Sequence, residues 1–381
     1  MRKFVLPLAL LLLTVGAAAQ SNSVASKFAS NITAKDLKAK LTVIASAEME
    51  GRETATPGQK RAAAYIENFF KSIGLQPGTP GGYQLKYPVY QDSLSNVSLS
   101  INGNNLVLDK DFNISPSSFI SGDWKTEEIT FARYGTTDSA NNNLNGLDVK
   151  DKWVMVLDGT AADGERPNFR AARAKLMNLT AKAVKGIFIV SKDFPKAKPS
   201  PLKGSMYVTK RNGAAIPIIT ISVSQAAAIL SKPGSSFDDL KTAVRGIYEA
   251  KMALNIATVT NNLESSDVIG VLPGTDKKDE YVLVTGHYDH LGKRDSVIYY
   301  GADDDGSGTT SVLEIAQTFA KAKAKGHGPR RTMIFMTVSG EEEGLWGSDY
   351  YTSHPVFPLE KTSVDLNTDM VGRIDPGYKG D

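Results

Sequence analysis

The sequence predicts an α/β fold, a mostly parallel mixed sheet flanked by helices and interrupted by a smaller α+β module. Three observations lead there. Short apolar runs at 281–285 and 333–338, with a weaker one at 363–368, read as strands. Between the first two, residues 309–325 carry Val312, Leu313, Ala316, Phe319 and Ala320 at helical spacing. Upstream, residues 116–257 have another texture, short strands separated by polar and Gly-rich turns. Apolar strands alternating with helices imply a sheet covered on both faces, and such sheets place their sites beyond the carboxyl ends of the strands.

In chain order, Met1-Arg2-Lys3, an apolar run over 4–15 and Ala17-Ala18-Ala19 read as a secretory signal peptide, 1–19. Cleavage after Ala19 and export to the periplasm or the exterior follow. That run is too short to span a membrane and no other segment is long and apolar enough, so no membrane anchor is expected. Residues 20–115 contain two helices, 34–44 and 57–73. The second places Ala62, Ile66, Phe69, Phe70 and Ile73 on one face, starts at Thr56-Pro57 and stops before Gly74. Glu50-Gly51-Arg52 reads as a loop between them, with Glu50 and Arg52 as a surface pair. Within 116–257, strands at 129–131, 153–157, 186–190 and 216–221 alternate with helical patches at 170–185 and 224–230, and the basic stretch 192–210 reads as a solvated loop. Residues 258–381 carry the chemistry.

Composition limits the function classes. A chain of 381 residues suggests two domains after processing. Its formal charge is +3, and loss of Arg2 and Lys3 with the leader lowers that to +1. A near-neutral protein has no electrostatic reason to favour nucleic acid or membranes, so no nucleic-acid partner is expected. With no cysteine, disulfides, thiol catalysis and a cysteine zinc site are excluded. Sequons at Asn31, Asn96, Asn113 and Asn178 carry no weight in a chain this rich in Asn, Ser and Thr. There is no Gly-x-Ser-x-Gly elbow, P-loop or dinucleotide fingerprint. The acidic loop also fails as an EF-hand, because Gly301 and Val312 occupy the first and last ligand positions.

Four strings sit where predicted strands end or a predicted helix begins: His287-Tyr288-Asp289, Gly301-Ala302-Asp303-Asp304-Asp305, Ser339-Gly340-Glu341-Glu342 and Asn367-Thr368-Asp369. Neutral imidazole and carboxylate oxygens suit zinc, and a carboxylate can bridge two ions so that a shared water becomes hydroxide near neutral pH. Asp289 is too close in sequence to His287 to be an independent ligand at the same ion, and reads as the carboxylate that fixes the imidazole tautomer. Of Glu341 and Glu342, one can bind metal while the other takes a proton. Singly, each string has a plainer reading: a satisfied His-x-Asp pair, a helix cap, a solvated doublet. Jointly, and in this order, they point to a paired metal site.

These strings extend to Gly286-His287-Tyr288-Asp289-His290-Leu291-Gly292, Gly301-Ala302-Asp303-Asp304-Asp305-Gly306-Ser307-Gly308, Ser339-Gly340-Glu341-Glu342-Glu343-Gly344-Leu345-Trp346-Gly347-Ser348 and Asn367-Thr368-Asp369-Met370-Val371-Gly372-Arg373. The set resembles the co-catalytic zinc exopeptidases, a family that includes secreted bacterial aminopeptidases and glutamate carboxypeptidase. The resemblance implies two Zn2+ ions, with His287 and Asp369 on one, Glu342 on the other and Asp304 bridging. It implies Glu341 as the general base and Asp289 as the group that orients His287. Asp304 is preferred over Asp303 and Asp305 because the family's bridging residue is followed by three residues and then Gly, here Gly308.

The family supplies a last histidine ligand to the second zinc well downstream of the Asp369 position. The histidines here are His287, His290, His327 and His354, and His327 and His354 read as surface residues. The expectation is therefore a C-terminally truncated peptidase domain whose second zinc keeps only Asp304 and Glu342. The strings at 146–154, 183–189 and 216–219 are similar to a protease-associated domain, which implies an inserted module over 116–257 and a peptidase domain split between 20–115 and 258–381. The expected function is that of an exported zinc exopeptidase with a peptide substrate, first of all an aminopeptidase. The alternatives are a carboxypeptidase, with Arg373 as the candidate grip on a free carboxylate, and an inactive binding module.

Overall fold

The computed structural model describes residues 23–137, 142–159, 169–209, 216–374 and 377. The leader expected at 1–19 lies outside them. The chain forms two compact units, Met1–Lys86 with Ser266–Asp381, and Tyr87–Ser265.

In the first unit the strands Lys277–His287, Arg331–Val338 and Thr362–Asn367 are parallel, with Lys277–His287 in the middle. Residues 268–272, the end of the strand Gly246–Leu272, pair antiparallel with Arg331–Val338, and the two-residue strand Gln76–Pro77 pairs beyond them. The sheet is apolar on both faces, as buried parallel strands must be. Val268, Val284 and Phe335 face a core shared with Ile44, Ala62, Ile66, Phe70, Val312, Leu313 and Ala316 of the helices. Ile269, Leu283, Ile334 and Met336 alternate to the other face and pack with Tyr351.

Local sequence sets the helix limits. Helix Ala34–Ile44 begins where Thr33 Oγ1 accepts the Asp36 N–H at 3.1 Å and donates to the Asp36 carboxylate at 2.8 Å. Pro57 opens helix Pro57–Ser72, and Gly74, at φ +77°, ends it. Helix Gly308–Ala324 buries the Val312, Leu313 and Ala316 stripe read from the sequence, together with Glu314, which is paired with Lys40. No helix among the described residues is long and apolar enough to cross a membrane.

The second unit holds a sheet whose parallel strands run in the order Gly122–Phe131, Trp153–Leu157, Gly186–Ser191 and Ile218–Ser222. Residues 246–256 pair antiparallel at one end and Phe112–Ile114 at the other. The unit starts well before the expected 116 because the strand Gln84–Ile101 pairs with Asn104–Leu106 and Lys203–Tyr207. Its Leu94, Leu99 and Ile101 join Trp153 and Phe188 in one core. Part of the stretch 192–210, read as a solvated loop, is thus a paired strand, with Tyr90 opposite Tyr207 and Gln91 opposite Met206.

Candidate metal centre

The register of the first unit brings the chemistry to one edge. His287 is paired with Val338, and Thr285 with both Met336 and Asn367, so the three parallel strands end side by side. Asp289, Glu341 and Asp369 follow within a few residues, as the sequence predicts. Asp304 arrives from the irregular turn Ala302–Ser307 that leads into helix Gly308–Ala324.

Three potential ligand atoms surround one point. His287 Nε2 lies 3.2 Å from Asp304 Oδ1 and 3.8 Å from Asp369 Oδ1. Ligands on a tetrahedral ion with bonds near 2.0–2.1 Å stand about 3.4 Å apart, so these separations suit a small cation. His287 is 3 % exposed, and its Nε2 has no hydrogen-bond partner. An imidazole nitrogen buried without a partner is costly unless a ligand takes it up, and this observation fits zinc to the site. Asp304 also belongs to a second set with His290 and Glu342, in which His290 Nδ1 and Glu342 Oε1 are 2.6 Å apart.

The structure places the other expected residues as follows. Asp289 is fully buried; its Oδ1 lies 3.5 Å from His287 Nδ1, its carbonyl 3.2 Å from the same nitrogen, and its Oδ2 accepts from Thr54 Oγ1 at 2.8 Å. The Glu341 N–H donates to Asp289 Oδ1 at 3.2 Å, so one carboxylate holds both the imidazole and the backbone of the neighbouring acid. Glu341 Oε2 is 3.9 Å from His287 Nε2, near the first ligand set but outside it. Asp304 is the member of the acidic triplet turned toward the ligands. Asp305 instead accepts the N–H groups of His287, Gly308 and Met370 at 3.2, 2.9 and 3.1 Å. Asp303 accepts Gly372 N–H at 3.0 Å, fixing the turn after Asp369.

Burial and crowding set the charges. Burial works to lower the His287 pKa, but the hydrogen bond and charge of Asp289, with Asp305 and Glu341, outweigh it and raise it to about 9. Burial, reinforced by neighbouring carboxylates, pushes Glu341 and Glu342 above the ordinary carboxylate range. Burial also raises Asp305 to about 7 and Asp267 to about 8.

Arg52 corrects the surface-pair reading. Its side chain is 0 % exposed, and it donates to the carbonyls of Tyr288 (2.6 Å), Ile44 (2.7 Å), Tyr300 (2.9 Å) and Gly301 (2.9 Å). It ties the end of one helix to the two loops that carry His287 and Asp304. Burial lowers its pKa to about 10, opposed by Asp289, Asp305, Asp304 and Glu342. Glu50 does stay at the surface, paired with Arg61 at 2.5 Å. Thr54 and Asp267 were also missed, and His290 was given no definite role. His290 sits inside a quoted motif, three residues after His287, and that spacing was the available signal. His327 and His354 are exposed, as read.

Residues 267–379 match the model of Peptidase family M28. This stretch is an M28 peptidase domain. It contains His287, Asp304, Glu341, Glu342 and Asp369. A probable zinc metalloprotease of Pyrenophora tritici-repentis is 37% identical over 116 residues, 28% of this chain and 22% of that protein. Aminopeptidase YwaD of Bacillus subtilis is 26% identical over 256 residues, 64% of this chain and 53% of that protein. A probable glutamate carboxypeptidase, LAMP1, of Arabidopsis thaliana is 32% identical over 155 residues, 40% and 22% of the two chains. The matched segments thus span about a fifth to a half of these curated relatives. An aminopeptidase from Aneurinibacillus sp. strain AM-1 shares the fold, with a TM-score of 0.53 at 20% identity over 91% of this chain and 72% of that one.

Proposed function

We propose that this chain is a zinc-dependent exopeptidase that removes residues from the N-termini of peptides. The observation that carries the reading is the pair of donor sets, His287 with Asp369 and His290 with Glu342, sharing Asp304 beside a carboxylate, Glu341, that belongs to neither. His287, Asp304, Asp369 and Glu342 would hold zinc. When bound, the cations supply Lewis acidity to the scissile carbonyl and make water acidic enough to attack near neutral pH.

The protein's own groups do the rest. The Asp289 carbonyl accepts from His287 Nδ1, with the Asp289 carboxylate 3.5 Å from the same nitrogen, and Nε2 is left as the free donor atom. Glu341 is close enough to the shared centre to take the proton of the attacking water and pass it to the leaving amine. The aminopeptidase names of the Bacillus and Aneurinibacillus proteins favour the N-terminal mode. Arg373, the candidate grip for a carboxypeptidase, is exposed, with Nε 3.5 Å from Asp303 Oδ2. Export rests on the leader sequence, and the reading of 116–257 as a protease-associated module rests on the strings at 146–154, 183–189 and 216–219.

Peptides with free, N-acetylated and C-amidated ends decide the mode by mass spectrometry. Stepwise loss from free N-termini only, unaffected by C-amidation, is the expected result; loss from acetylated peptides, blocked by C-amidation, would establish the carboxypeptidase instead.

A further inference from the structure

We infer that the far end of helix Gly308–Ala324 carries a second binding site, a pocket for a compact uncharged ligand with an apolar body and one hydroxyl. The inference does not depend on the exopeptidase reading, because no residue of the metal centre lines the pocket. Its walls belong to the same compact unit as that centre. Thr318, in the wall, follows Gly308 by ten residues, which places it about 15 Å further along the helix axis.

Three features support it. The first is size. Phe28 and Ile32 on one side, Ile315 and Phe319 on the other, and His327 beyond the helix end enclose about 370 Å³. An apolar cavity of about 150 Å³ already binds benzene, so this one has room for two fused rings or a chain of similar bulk. The second is charge. Among the described residues no Asp, Glu, Lys or Arg lines the pocket. An amino acid or a peptide terminus would lose its hydration there without a counter-charge, which excludes the substrates and products of a peptidase. The third is one buried hydroxyl. Thr318 is 8 % exposed and its Oγ1 has no hydrogen-bond partner. Helical Thr and Ser hydroxyls commonly bond a carbonyl one turn back. Thr310 and Ser311 of the same helix do so, both to the Ser307 carbonyl, at 3.1 and 2.8 Å. Thr318 does not, and its hydroxyl is left for a ligand.

The local sequence explains the pocket. Ile315, Thr318 and Ala322 recur at helical spacing and form a second stripe beside Val312, Leu313 and Ala316, which face the sheet. The opposite wall is the short helix Ser23–Ala29, tied to the turn after the longer helix by the Phe28 and His327 rings, whose centroids are 5.7 Å apart. That turn is fixed in its own right, since the His327 N–H donates to the Ala322 carbonyl at 2.9 Å. A concave, charge-free pocket with a single polar group to set orientation suits a small molecule better than a flat protein surface.

The probe is 2-naphthol, titrated into the full chain by calorimetry, with naphthalene as the control for the hydroxyl and 2-naphthoate as the control for charge. One saturable site per chain is expected for 2-naphthol, with 2-naphthoate at least roughly tenfold weaker. Thr318→Val keeps the volume and removes the hydroxyl, so 2-naphthol should weaken by about threefold to tenfold, the worth of one neutral hydrogen bond, while naphthalene binds as before. Ala322→Phe should fill the pocket and abolish binding of both. No saturable binding of 2-naphthol would overturn the inference, as would 2-naphthol affinity unchanged in Thr318→Val or in a folded Ala322→Phe. A chain that sediments as a dimer, and as a monomer when Ala322→Phe, would also overturn it, by giving this face to a second copy. Should Ala322→Phe fail to fold, Thr318→Val decides alone.

Discussion

Glu341 and Glu342 are adjacent in sequence but differ in surroundings. Glu342 Oε1 is buried against His290, whereas Glu341 sits 3.9 Å from His287 Nε2 with its backbone held by Asp289. Changing Glu341 to Gln keeps the shape and removes the proton acceptor, so hydrolysis should fall by roughly 100-fold to 10,000-fold while zinc content stays the same. Zinc lost in that variant and retained in Glu342→Gln would show the roles to be reversed. His287 yields a second prediction. Its pKa of about 9 makes it protonated in the zinc-free protein at pH 7.5, and a zinc ligand must be neutral. Zinc binding at pH 7.5 should therefore release a proton, and affinity should climb until the pH passes about 9. Calorimetry in buffers of differing ionisation heat reads this directly; heats independent of the buffer would contradict it. At this scale the sequence displayed His287, Asp304, Glu341, Glu342 and Asp369 because each ligand type stands at an element's end. It hid Arg52, which looks like any loop arginine until four carbonyls from distant segments close on it.

Elements matter here for what their ends hold in place. The strands at 281–285, 333–338 and 363–368 were legible because apolar runs of that length between turn residues have few other uses, and the observed strands enclose or nearly match them. Helices Ala34–Ile44 and Gly308–Ala324 were legible from cap and stripe. The loops between them were not, since their shape comes from long-range hydrogen bonds. Arg52 supplies four, to Ile44, Tyr288, Tyr300 and Gly301. Arg52→Met should cost about 3–5 kcal/mol, the usual loss when one member of a buried charged network is removed. Lysine should rescue little of it, because an ammonium cannot reach four carbonyls in the guanidinium plane. Urea unfolding measures both variants, and a loss below about 1 kcal/mol for either would show that the clamp is dispensable.

For the whole molecule, the two-unit organisation was legible, but its boundary was not. The 18-residue strand Gln84–Ile101 alternates, as Val97, Leu99 and Ile101 show, but alternation does not say which sheet a strand joins, and its pairing with Lys203–Tyr207 and Asn104–Leu106 assigns it to the later module. Asp267, at the point where the chain re-enters the first unit, links one buried group to global stability. Its Oδ1 accepts the Ser339 N–H at 2.9 Å and its Oδ2 has no partner. Burial raises its pKa from 3.8 to about 8, so the folded state holds a proton that the unfolded chain gives up near pH 4. Its contribution is thus full below about pH 4, declines as pH rises toward about 8, and is level above that. Asp267→Asn removes this titration, so unfolding of the zinc-free variant should lose less stability between pH 5 and pH 8 than the wild type does. Equal slopes would mean that Asp267 is ionised in the fold.

The central claim is that the Asp304-centred site is a zinc site that hydrolyses peptides from the N-terminus. It is tested most directly by stripping the full chain with a chelator, titrating zinc back, and following 4-nitroaniline release from a panel of aminoacyl 4-nitroanilides. Activity should vanish on stripping, return in step with added zinc, and be absent from the N-acetylated substrates; hydrolysis that survives stripping, or none from any substrate at full zinc loading, would contradict it.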